Sequence, residues 1–137
     1  MRQALKMAQM AYEAAEIPVG AIIVAQNQIL AKTHNQTERL QDVTAHAEIL
    51  AITAAATYLN SKYLQDCTLY VTLEPCPMCA GALAWAQLGR IVYGTSDKKR
   101  GFGQISTRLL HPKTSVKGGI LEKECQALLQ QFFRERR

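Results

Sequence analysis

Two short segments of the chain contain residues that can bind a metal ion and move protons. The first contains His46 and Glu48, and the second contains Cys76 and Cys79 in the run Pro-Cys-Pro-Met-Cys. One imidazole and two thiolates supply three protein ligands. A catalytic zinc site uses this number and keeps its fourth tetrahedral position open for water. The sequence therefore predicts that His46, Cys76 and Cys79 bind Zn2+.

Glu48 is the candidate catalytic residue, because it lies beside a ligand and is not needed as one. Water bound to zinc ionises near neutral pH. The resulting hydroxide can attack an amidine carbon such as C6 of adenine or C4 of cytosine. The departing amine needs protons, and a neighbouring carboxylate can take them from the water and deliver them. We predict this role for Glu48.

The spacing of these residues indicates where they lie on their helices. Positions two apart in a helix do not share a face, so His46 and Glu48 can reach one ion only from a first turn. Thr44 is the expected N-cap of that helix, and Pro75 and Pro77 suit the start of a second helix. Both helix N-termini would then point at the ion, where their partial positive charge favours thiolates.

Two other interpretations of the Cys-x-x-Cys pair remain open. It could be a redox pair, or part of a structural zinc site that has a fourth protein ligand. Cys67 and Cys125 are expected to be buried small apolar side chains, and His34 and His111 lack the spacing of metal ligands. The combination of His-x-Glu with Pro-Cys-x-x-Cys favours the catalytic site.

Length and composition predict one globular domain over residues 1–137. Hydrophobic residues make up 48% and charged residues 20% of the chain, which is typical of soluble domains. No apolar run reaches the length of a membrane span, and the N-terminus lacks a signal-peptide core. Four cysteines with a metal-type pair indicate a reducing compartment, so we expect a cytoplasmic protein. The net charge of +5 is compatible with a polyanionic partner.

The pattern of apolar residues predicts an α/β fold. Four main helices are expected at 2–15, 45–58, 77–87 and 122–136, with a short one at 105–110. Strands are expected at 17–24, 28–34, 67–73 and 90–94, with a short edge strand at 117–121. This order fits a three-layer α/β/α sandwich with a central mixed five-stranded sheet. The helix at 77–87 is apolar all round. Together, Ala84, Trp85 and the following Leu88 are expected to exceed what one domain can cover.

The sequence resembles the cytidine-deaminase-like superfamily and, within it, the bacterial tRNA-specific adenosine deaminases. The resemblance covers nearly the whole chain. His-Ala-Glu at 46–48 and Pro-Cys-x-x-Cys at 75–79 form the signature of zinc nucleobase deaminases. The run Val-Thr-Leu-Glu-Pro-Cys-Pro-Met-Cys-Ala-Gly-Ala at 71–82 and Phe-Phe-Arg at 132–134 are more particular to the tRNA enzymes.

This resemblance implies a homodimer that converts adenosine to inosine at the wobble position of a tRNA anticodon arm. It assigns one zinc ion per subunit to His46, Cys76 and Cys79, and the proton shuttle to Glu48. It places Asn35 against the flipped base. The backbone amide of Ala47 is placed against either the zinc-bound oxygen or the base edge.

Three further positions are expected to contact the nucleotides around the target. The resemblance implies that Asp97 and its loop touch the flanking nucleotides. Lys99 and its basic neighbours suit phosphates, and Phe133 is expected to stack on a base. Phe102, where the family usually has a small residue, looks exposed and is expected to stack on RNA or pack on the partner subunit.

Structural alternatives exist for several of these residues. Asn35 could instead turn the end of the hairpin, Asp97 could cap the following turn, and the lysines could form a solvated loop. Phe132 and Phe133 could both belong to the core. A free guanine, cytosine or nucleoside deaminase shares the same zinc chemistry. A non-catalytic RNA-binding zinc protein is a third possibility. The basic segments at 97–100 and 134–137 favour RNA, and Glu48 argues against a protein without catalysis.

Overall fold

The central element of the computed structural model is one mixed five-stranded sheet. The structure describes residues 1–136 and, at Thr107, the backbone alone. The strands are β1 Gly20–Ala25, β2 Gln28–His34, β3 Thr68–Leu73, β4 Arg90–Thr95 and β5 Ser115–Lys117, in the order β2-β1-β3-β4-β5. β1 runs antiparallel to β2 and β3, whereas β3, β4 and β5 run parallel to one another.

Helices cover both faces of this sheet, which confirms the predicted three-layer architecture. They are α1 Arg2–Glu13, α2 Thr37–Leu40, α3 Ala47–Leu59, α4 Pro77–Trp85 and α5 Glu122–Glu135, with two 3-10 turns at Phe102–Gln104 and Thr107–Leu109. α1 contacts α5, and α3 contacts α4. Within the described residues, no helix has both the length and the apolarity needed to cross a membrane.

Alternation along the strands separates the two helix layers. Ala21 and Ile23 of β1 belong to the core formed with α3 and α4. Gly20 faces α1, where an added Cβ would lie 2.0 Å from the carbonyl oxygen of Ala4. The backbone of α1 therefore rests directly on β1, and only glycine fits at that contact.

The hairpin between β1 and β2 closes through two residues with positive φ. Gln26 has φ 50° and Asn27 has φ 61°, the pattern of the type I′ turns that suit two-residue hairpin loops. This confirms the predicted hairpin. The turn places the end of β2, with His34 and Asn35, beside the beginning of β1.

Three segments differ from their predicted structure. Residues 36–43, expected to be a loop, contain the short helix α2, because the buried carboxylate of Glu16 accepts hydrogen bonds from the amides of Glu38 and Arg39. The short helix expected at 105–110 is replaced by the 3-10 turn Thr107–Leu109. The edge strand lies at Ser115–Lys117 rather than 117–121, where it pairs with β4.

Candidate active site

The three predicted metal ligands converge where α3 and α4 begin. His46 is the N-cap residue of α3, Cys76 is the N-cap residue of α4, and Cys79 lies in the first turns of α4. His46 Nδ1 lies 3.6 Å from Cys76 Sγ and 3.5 Å from Cys79 Sγ. All three ligand atoms lie within 4.8 Å of one another, so these residues could hold a metal ion.

The helix starts differ in one respect from the sequence prediction. Thr44 is not the N-cap of α3; His46 is, and its side chain makes no capping hydrogen bond. Thr44 instead donates from its hydroxyl and its amide to Asp42 Oδ1, at 2.7 and 2.8 Å. This nearby carboxylate holds Thr44 in the preceding turn. Pro77 occupies the first turn of α4, as expected of a proline.

The electrostatics of the cluster favour a cation. The hydrogen bond from Cys79 lowers the pKa of the Cys76 thiol to about 4, with a further contribution from His46. The same thiol pair raises the pKa of Cys79, and the contact with Cys76 raises the pKa of His46. Cys76 is therefore a thiolate at neutral pH even without a metal ion, whereas Cys79 keeps its proton.

Glu48 lies beside the three ligands as the second residue of α3. Its side chain is 4% exposed. Burial raises its carboxyl pKa, and the charge of His46 opposes this shift. The carboxyl also neighbours the Cys79 thiol. A buried carboxyl with a raised pKa next to a candidate metal site is suited to proton transfer.

Asn35 lies between β2 and α2, and Ala47 is the first residue of α3. The side chain of Asn35 is 5% exposed; its amide donates to the carbonyl of Ile17 at 3.3 Å and accepts from the amide of Thr37 at 3.4 Å. The structural role considered for Asn35 is therefore present. One N–H and one lone pair of its amide remain for another partner. Ala47 begins α3, where backbone N–H groups lack intrahelical partners.

Residues 97–103 form a turn that presents three cations, and we call this segment the basic loop. Asp97 Oδ1 accepts from the amides of Lys99 and Arg100, each at 3.0 Å. Asp97 therefore caps this turn. Lys98, Lys99 and Arg100 are exposed. These positions leave the cations free to meet an anionic partner.

The exposure of Phe102 differs from the sequence-based prediction. The sequence predicts an exposed ring that stacks on RNA or packs on a partner subunit, whereas the side chain is 4% exposed and belongs to the hydrophobic core. Its amide donates to the carbonyl of Pro75 at 2.9 Å. The aromatic ring therefore anchors the basic loop in the core.

The two phenylalanines of α5 differ in exposure. Phe132 is 4% exposed and packs edge-on against Tyr12, with ring centroids 5.9 Å apart. Phe133 is 47% exposed. Of these two aromatic side chains, Phe133 is therefore the one that offers an accessible ring near the basic C-terminus. Arg137, at the end of the predicted basic tail, lies outside the described residues.

The other cysteines and histidines do not join the metal cluster. Cys67 and Cys125 are 2% and 1% exposed, which agrees with their interpretation as small apolar side chains. His34 Nδ1 contacts the carbonyl of Asn35, and His111 Nδ1 accepts from the amide of Lys113. Among the described residues, His46, Cys76 and Cys79 form the one group of this kind.

Sequence reasoning missed two buried carboxylates that organise the surroundings of the site. Glu16 is 1% exposed and Glu74 is 6% exposed. Glu16 accepts from the amides that start α2, and Glu74 accepts from amides of the basic loop. An acidic residue at the end of an apolar run, as Glu74 is at the end of β3, was the available signal.

Comparison with known proteins assigns the chain to a family. The family model described as MafB19-like deaminase matches residues 1–137. The tRNA-specific adenosine deaminase of Bacillus subtilis strain 168 is 42% identical over 142 residues, covering 100% of this chain and 88% of the relative. That of Aquifex aeolicus strain VF5 is 43% identical, covering 100% and 93%.

A solved structure agrees with this assignment. It comes from work on A-to-I editing by tRNA:A34 deaminases at the wobble position of transfer RNA. The match has a TM-score of 0.87 and 39% identity, and it covers 94% of this chain and 97% of that chain. The chain therefore belongs to the deaminase family and, within it, to the tRNA-specific adenosine deaminases.

Proposed function

We propose that this protein deaminates adenosine to inosine at the wobble position of a tRNA anticodon, using one zinc ion per subunit. The main support for this proposal is the convergence of His46, Cys76 and Cys79 beside the buried carboxyl of Glu48. The relatives named as tRNA-specific adenosine deaminases support the substrate. The structural similarity to a tRNA:A34 deaminase supports the wobble position.

The distances between the ligand atoms support zinc. Tetrahedral coordination with zinc–sulfur and zinc–nitrogen bonds of about 2.3 and 2.0–2.1 Å places the nitrogen and sulfur atoms about 3.6 Å apart. The two nitrogen–sulfur distances are 3.6 and 3.5 Å. Zinc held by these residues would lower the pKa of a water molecule to near neutrality and so supply the nucleophile.

Glu48 moves the protons in this proposal. The reaction adds one water at C6 of adenine and releases one ammonia. Glu48 takes the two protons of the attacking water in turn and delivers one to N1 of the ring and the other to the departing amine, which leaves as ammonia. Because burial raises the pKa of Glu48, the carboxyl can hold each proton between its uptake and its delivery.

Residues around the cluster bind the RNA. The free N–H and lone pair of Asn35 can pair with a purine edge, since an amide offers a donor and an acceptor together. The amide of Ala47, at the start of α3, holds the reacting oxygen or the base. Asp97 and Lys99 contact the flanking nucleotides and phosphates, and Phe133 stacks on a base.

A second copy of the chain completes the molecule in this proposal. Trp85 is 85% exposed and Met78 is 39% exposed, and their spacing of seven places them on one face of α4. Leu88, which the sequence predicts to be left uncovered by a single domain, is 1% exposed. It therefore does not contribute to this apolar face. An exposed apolar helix face supports a homodimer. Four free cysteines support a reducing, cytoplasmic location.

Assays on a substrate panel test this function. The zinc-replete protein is incubated with an arginine-tRNA anticodon stem-loop carrying adenosine at the wobble position and, separately, with guanine, cytosine and adenosine. We expect inosine in the RNA and no ammonia from the small molecules. Ammonia from a free base with inert RNA would retain the metal chemistry and overturn the substrate. No turnover on any substrate would favour a non-catalytic RNA-binding protein.

A further inference from the structure

Glu74 connects the two ends of the basic loop. Its side chain is 6% exposed. Oε1 accepts from the amide of Asp97 at 3.0 Å, and Oε2 accepts from the amide of Gly103 at 2.9 Å. Hydrogen bonds to an ionised carboxylate are stronger than neutral ones. One buried side chain therefore fixes the first and last residues of the loop.

The loop closes around this carboxylate without room for side chains. A Cβ added at Gly101 would lie 2.4 Å from the carboxyl carbon of Glu74 and 2.5 Å from each of its oxygens. A Cβ at Gly103 would lie 2.9 Å from Oε2. The two glycines allow the backbone to approach the carboxylate closely.

The same contacts join the loop to the metal site. Glu74 is followed directly by Pro75 and Cys76. The carbonyl of Pro75 accepts from the amide of Phe102 at 2.9 Å, and the amide of Glu74 donates to the carbonyl of Thr95 at 2.9 Å. The backbone on both sides of the loop is therefore held against the segment that carries Cys76.

The turn inside the loop depends on this anchoring. Asp97 is bound to Glu74 through its amide, and its own carboxylate accepts from the amides of Lys99 and Arg100. The amide of Gly101 donates to the carbonyl of Asp97 at 2.9 Å. This chain of hydrogen bonds sets the direction in which the three cations leave the surface.

We propose that Glu74 is a positioning residue for RNA binding, which fixes the cations of the basic loop relative to Cys76. The proposal rests on the proposed function, because it assigns those cations to RNA phosphates. Cations held in place before binding lose less conformational entropy when the ligand arrives, which increases affinity. Removing the carboxylate should therefore weaken RNA binding while the three metal ligands stay in place.

The kinetic test compares Glu74→Ala and Glu74→Gln with the control Glu122→Gln, which changes an exposed glutamate of α5. For the anticodon stem-loop we expect KM to rise about tenfold in Glu74→Ala, because the side chains of the loop must then be ordered when the RNA binds. We expect kcat and the zinc content to stay near the wild-type values. Glu74→Gln should recover part of the loss, since its carbonyl still accepts from one amide.

Two further measurements separate positioning from general damage. Hydrogen exchange at the amides of Asp97 and Gly103 should accelerate in Glu74→Ala, with the amides of α3 unchanged. Gly101→Ala should raise KM in the wild-type background but add nothing in the Glu74→Ala background, where the clashing carboxylate is absent. If the Glu74 variants do not fold, Gly103→Ala disturbs the same contact from an exposed position and should also raise KM.

Two outcomes would overturn the proposal. Loss of zinc together with a matching fall in kcat would mean that Glu74 acts through Cys76. An unchanged KM in active Glu74→Ala protein would mean that the loop needs no positioning. Failure of the proposed function looks different: the wild-type protein itself would neither bind nor deaminate the stem-loop, although its amides at Asp97 and Gly103 would still be protected.

Discussion

At the scale of single residues, the site has two of its candidate metal ligands where helices usually have capping residues. His46 and Cys76 are the N-cap residues of α3 and α4, and neither side chain caps its helix. Serine, threonine, aspartate or asparagine would normally satisfy a first-turn amide there. The first-turn amides thus remain available to other acceptors, and the positive N-terminal end of each helix faces the sulfur atoms.

The pKa shifts predict proton release when the metal-free protein binds zinc near neutral pH. Cys76, with a pKa of about 4, is already ionised. The raised pKa of Cys79 means that its thiol still holds a proton, and the raised pKa of His46 increases the protonated fraction of its imidazole. A metal ion must displace these protons. We expect about one to two protons released per ion and an affinity that falls as pH falls.

Calorimetric titration in two buffers of different ionisation enthalpy measures this release. Cys67→Ala, which alters a buried thiol outside the cluster, should release the same number of protons as the wild type. Cys79→Ala should release fewer. Zinc binding that is independent of both buffer and pH would contradict the assignment of these ligands.

Lys99 provides a second test at this scale. Removing one phosphate contact lowers the slope of log affinity against log salt by about 0.7 for single-stranded nucleic acid. We expect Lys99→Ala to show this reduction with the anticodon stem-loop and Lys6→Ala, on the exposed face of α1, to show none. Equal slopes for wild type and Lys99→Ala would remove Lys99 from the RNA interface.

At the scale of elements, the short helix α2 depends on a carboxylate distant in sequence. Glu16 is 1% exposed and accepts from the amides of Glu38 and Arg39 at 3.0 and 2.8 Å. We expect Glu16→Ala to reduce the free energy of unfolding by about 2–3 kcal/mol, because two part-buried hydrogen bonds to a carboxylate are lost. Exchange of the α2 amides should accelerate as well.

Urea denaturation of Glu16→Ala beside the control Glu13→Ala measures this effect. Glu13 lies three positions earlier and is exposed, so its removal should change stability by less than about 0.5 kcal/mol. A similar small change for Glu16→Ala would show that α2 forms without the buried carboxylate.

Some of these elements can be predicted from the sequence, and others cannot. The large helices and β1 to β4 could be predicted, because the spacing of apolar residues follows the buried face of a helix or strand. The metal cluster could be predicted because its ligand types and spacing are specific. α2 and the burial of Phe102 could not, since they depend on contacts of Glu16 and Glu74 with residues 22 to 29 positions away. The residues next to α2 and Phe102 in the sequence do not indicate these distant partners.

At the scale of the whole molecule, α4 leaves an apolar face uncovered by its own chain. Its buried residues are Cys79, Ala80 and Leu83, whereas Trp85 is 85% exposed. Such an indole on a helix next to the site suggests that a second copy covers it. In the proposed dimer, the covered face would lie on the same helix as Cys79.

Sedimentation of Trp85→Asp tests this assembly. We expect the wild type to be a dimer at micromolar concentration and Trp85→Asp to be a monomer, because a charge would be buried in an apolar contact. Val43→Asp is the matched control, since Val43 is also 85% exposed but lies in a loop. A wild-type monomer would exclude the proposed dimer.

The most direct test of the account is turnover by Glu48→Gln on the wobble-adenosine stem-loop. The variant keeps all three metal ligands and nearly the shape of the side chain, but it cannot accept a proton. We expect the wild-type zinc content and a fall in the rate of inosine formation of at least about 100-fold. A zinc-replete Glu48→Gln protein that forms inosine at the wild-type rate would contradict the account.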